Sequence, residues 1–232
     1  MKYVTLSYDD NAALDQHFLE IIDRYGAKCT FNLNSGMRVT GKIANKLLGS
    51  RKMLSIQDMK TMLAGTDHEI ACHGKGHQDL LKMSEEEMKK NLAEDKAFLE
   101  DLFARPMQGF AYPFGSYSDA TTQTLGDLGF TYARTTVSIK DFSVPEDFLV
   151  WHPTCHHNDK ELMELAEKFI QIQDDTDHIF YLWGHAWEYG VFKNWERLDQ
   201  VLSILAKDPT IQYATNQEVV ACCLRKRAGV RP

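Results

Sequence analysis

The 232-residue chain is poor in several features, and each shortage narrows what it can do. It has no excess of positive charge: the formal net charge is −7, which leaves no basic footprint for nucleic acid. Its one basic cluster, Arg225, Lys226, Arg227 and Arg231, sits at the C-terminus and reads as a solvated tail that complements the end of a last helix. No apolar run approaches a membrane span, and the N-terminus lacks a charged-then-apolar leader pattern. Cysteine is sparse and odd in number. Cys29, Cys72, Cys155, Cys222 and Cys223 form no Cys-x-x-Cys pair, which argues against a disulfide framework and for a reducing compartment. Repeats, low-complexity stretches and linkers are missing too. The expectation is a cytoplasmic protein with no nucleic-acid or membrane partner, forming one domain over residues 1–232, its oligomeric state left open.

What is present is ordinary globular material, 44% hydrophobic and 25% charged, in which strand and helix signals alternate. Strands are predicted at Tyr3–Tyr8, Cys29–Leu33, Glu69–Cys72, Gly109–Tyr112, Phe130–Ala133, His178–Trp183 and Ile211–Ala214. Helices are predicted at Leu14–Tyr25, from Ser55, from the Ser84/Glu87 capping box to Phe103, from Ser118 to near Gly129, at Asp159–Gln173, at Trp195–Ala206, and after an Asn216 cap. Such alternation predicts a parallel sheet covered by helices, open or closed into a barrel, with its chemistry in loops at the strands' C-terminal ends.

Three polar clusters fall just past predicted strands. Asp9 and Asp10 follow the first; adjacent acids in a strand would face opposite ways, so at least one lies beyond the ladder. A turn or a helix cap is the alternative use of such acids. His73 and His77 follow Glu69–Cys72, four residues apart with Gly74 and Gly76 between them. Imidazoles so placed can share one metal, and a carboxylate from the first cluster would complete a three-ligand site with open positions. A pair of surface histidines is the alternative. His185 follows the most apolar strand and can serve as a general acid or as a satisfied core histidine; Glu188, three residues on, can orient it or be solvated.

These segments resemble the ordered motifs of the NodB-like polysaccharide deacetylases, carbohydrate esterase family 4. Ser7-Tyr8-Asp9-Asp10 is similar to the family's first motif, His68-Glu69-Ile70-Ala71-Cys72-His73 with His77 to its second, and Pro113-Phe114-Gly115 to its third. Residues 26–33 resemble its second strand, and His185 takes the place of its late histidine. The resemblance implies a distorted (β/α) barrel of about seven parallel strands. It implies a divalent metal, Zn²⁺ first, held by Asp10, His73 and His77, with Asp9 as general base and His185 as general acid. The implied reaction removes an acyl group, acetyl first, from an N-acylated sugar or glycan. Tyr112, Pro113, Phe114 and Trp183 are the implied substrate and oxyanion residues, a backbone N–H near Phe114 serving the oxyanion. The aromatic rings there, with Trp187, are candidates for sugar stacking or for the core.

Three departures stand out. Ala111 occupies the place of the family's arginine, the Asp-x-x-Asp-Trp motif is missing between Phe130 and His178, and one extra residue separates Leu182 from His185. Arg134, just past a predicted strand, is a candidate substitute for the arginine, with a surface arginine as the alternative. The histidine-rich segment 151–157, His156 included, can support His185, bind substrate, reach metal or be plain surface. Two other functions stay open: a hydrolase of small amides or cyclic imides, and a non-catalytic saccharide binder.

Overall fold

A computed structural model describes residues 1–36 and 49–229; Arg231 of the basic cluster lies outside them. The strands are β1 (Lys2–Asp9), β2 (Cys29–Leu33), β3 (Glu69–Cys72), β4 (Gly109–Ala111), β5 (Tyr132–Arg134), β6 (Cys155–His156), β7 (His178–Gly184) and β8 (Ile211–Tyr213). Between and after them come α1 (Asp15–Asp23), α2 (Ile56–Met62), α3 (Glu85–Phe103), α4 (Asp119–Asp127), α5 (Leu162–Ile170), α6 (Ala186–Phe192), α7 (Glu196–Leu205) and α8 (Asn216–Arg227). Capping boxes start four of the helices: Ser55 with Asp58, Ser84 with Glu87, Ser118 with Thr121, and Thr215 with Glu218. Each box satisfies N–H groups that the first helical turn leaves unpaired. Among the described residues no helix is long and apolar enough to cross a membrane.

All the strand pairings are parallel, in the order β5-β4-β3-β2-β1-β7-β6, with β8 against β1 off that path. The expected seven-stranded distorted barrel is therefore present, with one short strand added. Much of the distortion lies at β1, which changes neighbours along its length. On one side β8 pairs with Lys2–Val4 and β2 with Leu6–Asp9, while β7 follows it from Lys2 to Tyr8. β1 is buried on both faces from Tyr3 to Asp9, as a strand under helices should be. At the far edge, Trp151 N–H donates to Ala133 C=O (2.9 Å) and Thr135 N–H donates to Trp151 C=O (3.0 Å). The same segment runs on into β6, which pairs with Leu182 and Trp183 of β7. Residues 151–156 thus link the two edges of the sheet.

Several boundaries differ from the sequence expectation. The strand predicted at Phe130–Ala133 begins at Tyr132, because Phe130 N–H closes the turn after α4 by donating to Leu125 C=O (3.0 Å). Arg134 consequently ends β5 rather than following it. Thr215, not Asn216, caps α8. The helix expected over Asp159–Gln173 is shorter, and β6 and α6 were not foreseen: one is two residues long, and the other follows His185 directly.

Candidate active site

The C-terminal ends of β1, β3, β5 and β7 bring the polar clusters together. Asp9 is the last residue of β1, and Asp10 turns out of the ladder with φ +77°, which lets both carboxylates reach one point. From there Asp10 Oδ1 lies 3.8 Å from His73 Nε2 and 3.7 Å from His77 Nε2, and Asp9 Oδ2 lies 3.7 Å from His73 Nε2. His185 closes the ring, its Nε2 at 3.6 Å from Asp10 Oδ2 and 4.0 Å from Asp9 Oδ2. Backbone strain collects here. Among the described residues seven non-glycines have positive φ, and four of them are Asp10, Asn11, His77 and Phe114. Left-handed non-glycine conformations cost about 1–3 kcal/mol each and persist where surrounding structure imposes them.

The two acids sit in different surroundings. Asp9 is buried and held by two donors: Asn32 Nδ2 at 2.8 Å on Oδ1 and Arg134 Nη2 at 2.5 Å on Oδ2. Burial pushes its carboxyl up, but Arg134, then His73 and His185, outweigh that and bring it down to about 2. Asp10 Oδ1 and His73 Nε2 are buried and have no hydrogen-bond partner among the described residues. His73 Nδ1 lies 2.8 Å from Ala111 C=O, which accepts a hydrogen bond from Nδ1–H and so leaves the lone pair on Nε2. Burial lowers the pKa of His73 and so favours its neutral form. An orphaned carboxylate oxygen, a neutral imidazole of fixed tautomer and His77, all within 4.8 Å, fit a divalent metal such as Zn²⁺.

His185 faces Glu188 in the first turn of the next helix: Nδ1 lies 3.3 Å from Oε1. Burial lowers the pKa of His185, but Glu188, Asp9 and Asp10 outweigh it and the net shift is upward. His157 Nε2 (2.8 Å), His156 Nε2 (3.2 Å) and Asn158 Nδ2 (2.8 Å) also surround Glu188 Oε2. Burial pushes that carboxyl up, but His156, His157 and His185 outweigh it and hold it far below its usual range. His156, His185 and Glu188 are close enough to hold an ion, but Asn158 N–H donates to His156 Nδ1 (3.1 Å). Neutral His156 therefore keeps its proton on Nε2, facing Glu188. In that group the two imidazoles lie against the Glu188 carboxylate, which is its one anion.

The aromatic and motif residues divide. Phe114 is 63% exposed, its ring 4.6 Å from that of His77, and its N–H makes no hydrogen bond among the described residues. Gly115 is required beside it, because a Cβ there would lie 2.1 Å from Thr136 Oγ1. Tyr112 is not available for stacking: its ring is buried and its hydroxyl donates to Leu149 C=O (2.9 Å). Pro113 is buried as well. Trp183 is not a platform either, because the Arg134 guanidinium covers its face at 4.5 Å and His156 meets it at 4.6 Å. Trp187, half-buried, lies 5.3 Å from His185. Sequence reasoning missed Asn32, Asn34 and Asn11, whereas His157 belongs to the histidine-rich segment it flagged. Two asparagines two apart at the end of a predicted strand were the available signal for the first pair.

A parallel (β/α) barrel with paired acids, two histidines and a third imidazole at its C-terminal mouth defines a hydrolase-type centre. The polysaccharide deacetylase family model matches residues 1–133, more than half of the chain, and the chain belongs to that family. Membership supports a hydrolase that deacetylates a glycan. Among solved structures it is similar to the Streptococcus pyogenes deacetylase PplD, determined with acetate. Identity is 24% over 63% of this chain and 61% of that one, at a TM-score of 0.52. A family 4 acetyl xylan esterase from Clostridium thermocellum in complex with a cobalt ion aligns at 18% identity over 99% and 93% of the two chains, TM-score 0.56. A family 4 pseudoenzyme from Bacillus anthracis aligns at 15% identity over 94% and 65%, TM-score 0.58. At these identities the likenesses establish the fold. No curated protein matches the chain.

Proposed function

We propose that this chain is a single-domain, metal-dependent deacetylase that hydrolyses the acetamide of an N-acetylated sugar residue, with an oligosaccharide or small saccharide as substrate. The observation that carries the reading is the contrast between the two acids: Asp9 is held by Asn32 and Arg134, whereas Asp10 Oδ1 and His73 Nε2 are buried without partners among the described residues. Asp10, His73 and His77 would hold the metal. Bound there, a divalent ion supplies Lewis acidity to the acyl carbonyl and to water.

The protein's own groups carry the protons. Asp9, ionised at neutral pH, accepts the proton of the attacking water as the new C–O bond forms. Phe114 N–H donates to the carbonyl oxygen as it gains charge. His185 donates a proton to the departing nitrogen as the C–N bond breaks, so that acetate and a free amine leave. Glu188 keeps that imidazole oriented and favours its protonated form. Arg134 does from β5 what an arginine at position 111 would do from β4.

Acetate release from N-acetylglucosamine oligomers by metal-reconstituted protein tests the proposal, run beside small amides and cyclic imides. Acetate from the sugars alone is the expected result. Ring opening of imides instead would favour the small-amide reading. Bound metal without any turnover would place the chain with the pseudoenzymes.

A further inference from the structure

α3 buries one face through Met88, Leu92, Asp95 and Leu99, so a carboxylate interrupts an otherwise apolar stripe at positions spaced four, three and four apart. Asp95 is fully buried. Burial pushes its carboxyl up to about 6, against the pull of donors from Ser35 and the nearby N–H groups of Gly74 and His73. A leucine would pack this stripe without that conflict. What the carboxylate does is hold Ser35: Asp95 Oδ1 accepts from Ser35 N–H (3.1 Å) and from its hydroxyl (2.5 Å).

Ser35 sits between two residues that fix the histidine loop. Asn34 Nδ2 donates to the carbonyls of His73 and Gly74, both at 2.7 Å, and Gly36 N–H donates to Lys75 C=O at 2.7 Å. Asn34 also reaches the other acid-bearing loop. Its N–H donates to Asn11 Oδ1 (3.1 Å), and Asn11 Nδ2 donates to Asn34 C=O (3.2 Å), one residue from Asp10. Asp95 therefore stands behind a short chain of hydrogen bonds that touches the backbone on both sides of the candidate metal ligands. His77 at φ +50° and Asp10 at φ +77° need such support, since neither conformation is favourable by itself.

We propose that Asp95 is a positioning residue that sets the spacing of Asp10, His73 and His77, an inference that rests on reading those three as metal ligands. Groups behind a metal's ligands typically change its affinity about 10–100-fold when removed. Metal-stripped wild type, Asp95→Asn and Asp95→Leu would be titrated with Zn²⁺ against a chromophoric chelator. Co²⁺ absorption would report ligand geometry, and thermal unfolding of the stripped proteins would report stability. Asp95→Leu should weaken Zn²⁺ binding about tenfold or more and alter the Co²⁺ spectrum, without lowering the unfolding midpoint of the stripped protein. Asp95→Asn should lose less, because its amide oxygen still accepts from Ser35. If the leucine variant does not fold, Asp95→Asn and Ser35→Ala decide the matter by the same titration. Unchanged affinity in the folded variants, or a loss confined to thermal stability, overturns the positioning role. Wild type that binds no Zn²⁺ is a separate outcome and overturns the ligand assignment itself.

Discussion

Replacing Arg134 by Met removes the cation opposite Asp9 while keeping an unbranched chain against Trp183. Arg134 and Asp9 are both buried, and removing one partner of such a pair costs about 3–5 kcal/mol because the other charge is stranded. Asp9 has one way out, which is to take up a proton. From an unfolded pKa of about 3.9, neutralising it costs roughly 4 kcal/mol at pH 7 and about 1.5 kcal/mol at pH 5. In the wild type the carboxyl is held at about 2, below its unfolded value, so the pair's stabilisation is present above the unfolded pKa and is lost only as pH falls through the folded one. In the variant burial prevails and the folded pKa is raised, so the penalty grows with pH. Urea unfolding with metal chelated should show Arg134→Met less stable by about 4 kcal/mol at pH 7 and by about 2 kcal/mol at pH 5. Adding Asp9→Asn should restore part of the loss at pH 7, because no charge is then stranded. A deficit below about 1 kcal/mol, or one that is the same at both pH values, would refute this reasoning.

The remaining predictions concern the reaction. Asp10→Asn should weaken metal binding, whereas Asp9→Asn should keep metal and lose about a hundredfold or more in turnover; equal metal loss in both would make Asp9 a ligand. Glu188→Gln should lower the pKa of His185, moving the alkaline limb of the pH–rate profile to lower pH and cutting turnover about tenfold or more; an unmoved limb would separate Glu188 from His185. Phe114→Gly keeps the backbone N–H and suits φ +58°, so turnover should survive with a higher KM; a collapse of kcat would show that the ring itself is needed.

Much of this arrangement was legible in the residues. β2 and β3 have the bounds expected from the sequence, Cys29–Leu33 and Glu69–Cys72, and every residue of both is buried. Asp10, His73 and His77 were legible because each falls just past a strand end, on β1 and β3 with only β2 between them. Less legible was anything that depends on which strand end lies beside which. Arg134 could be placed near the mouth, but only the β4–β5 register puts it level with Ala111, and only then does it reach Asp9. Trp183 looked like a sugar platform because an aromatic before a catalytic histidine invites that reading; packing against Arg134 gave it another use. β6 is two residues long and has no periodicity to detect, yet it brings His156 and His157 to Glu188. Asp95 was hidden in a helix whose pattern was otherwise amphipathic.

Metal content tests the central claim most directly, because every assigned role assumes that Asp10, His73 and His77 share one ion. Elemental analysis of purified wild type should give about one equivalent of divalent metal per chain, and His73→Ala and His77→Ala, folded by circular dichroism, should give little or none. Full metal content in both folded variants would contradict the account.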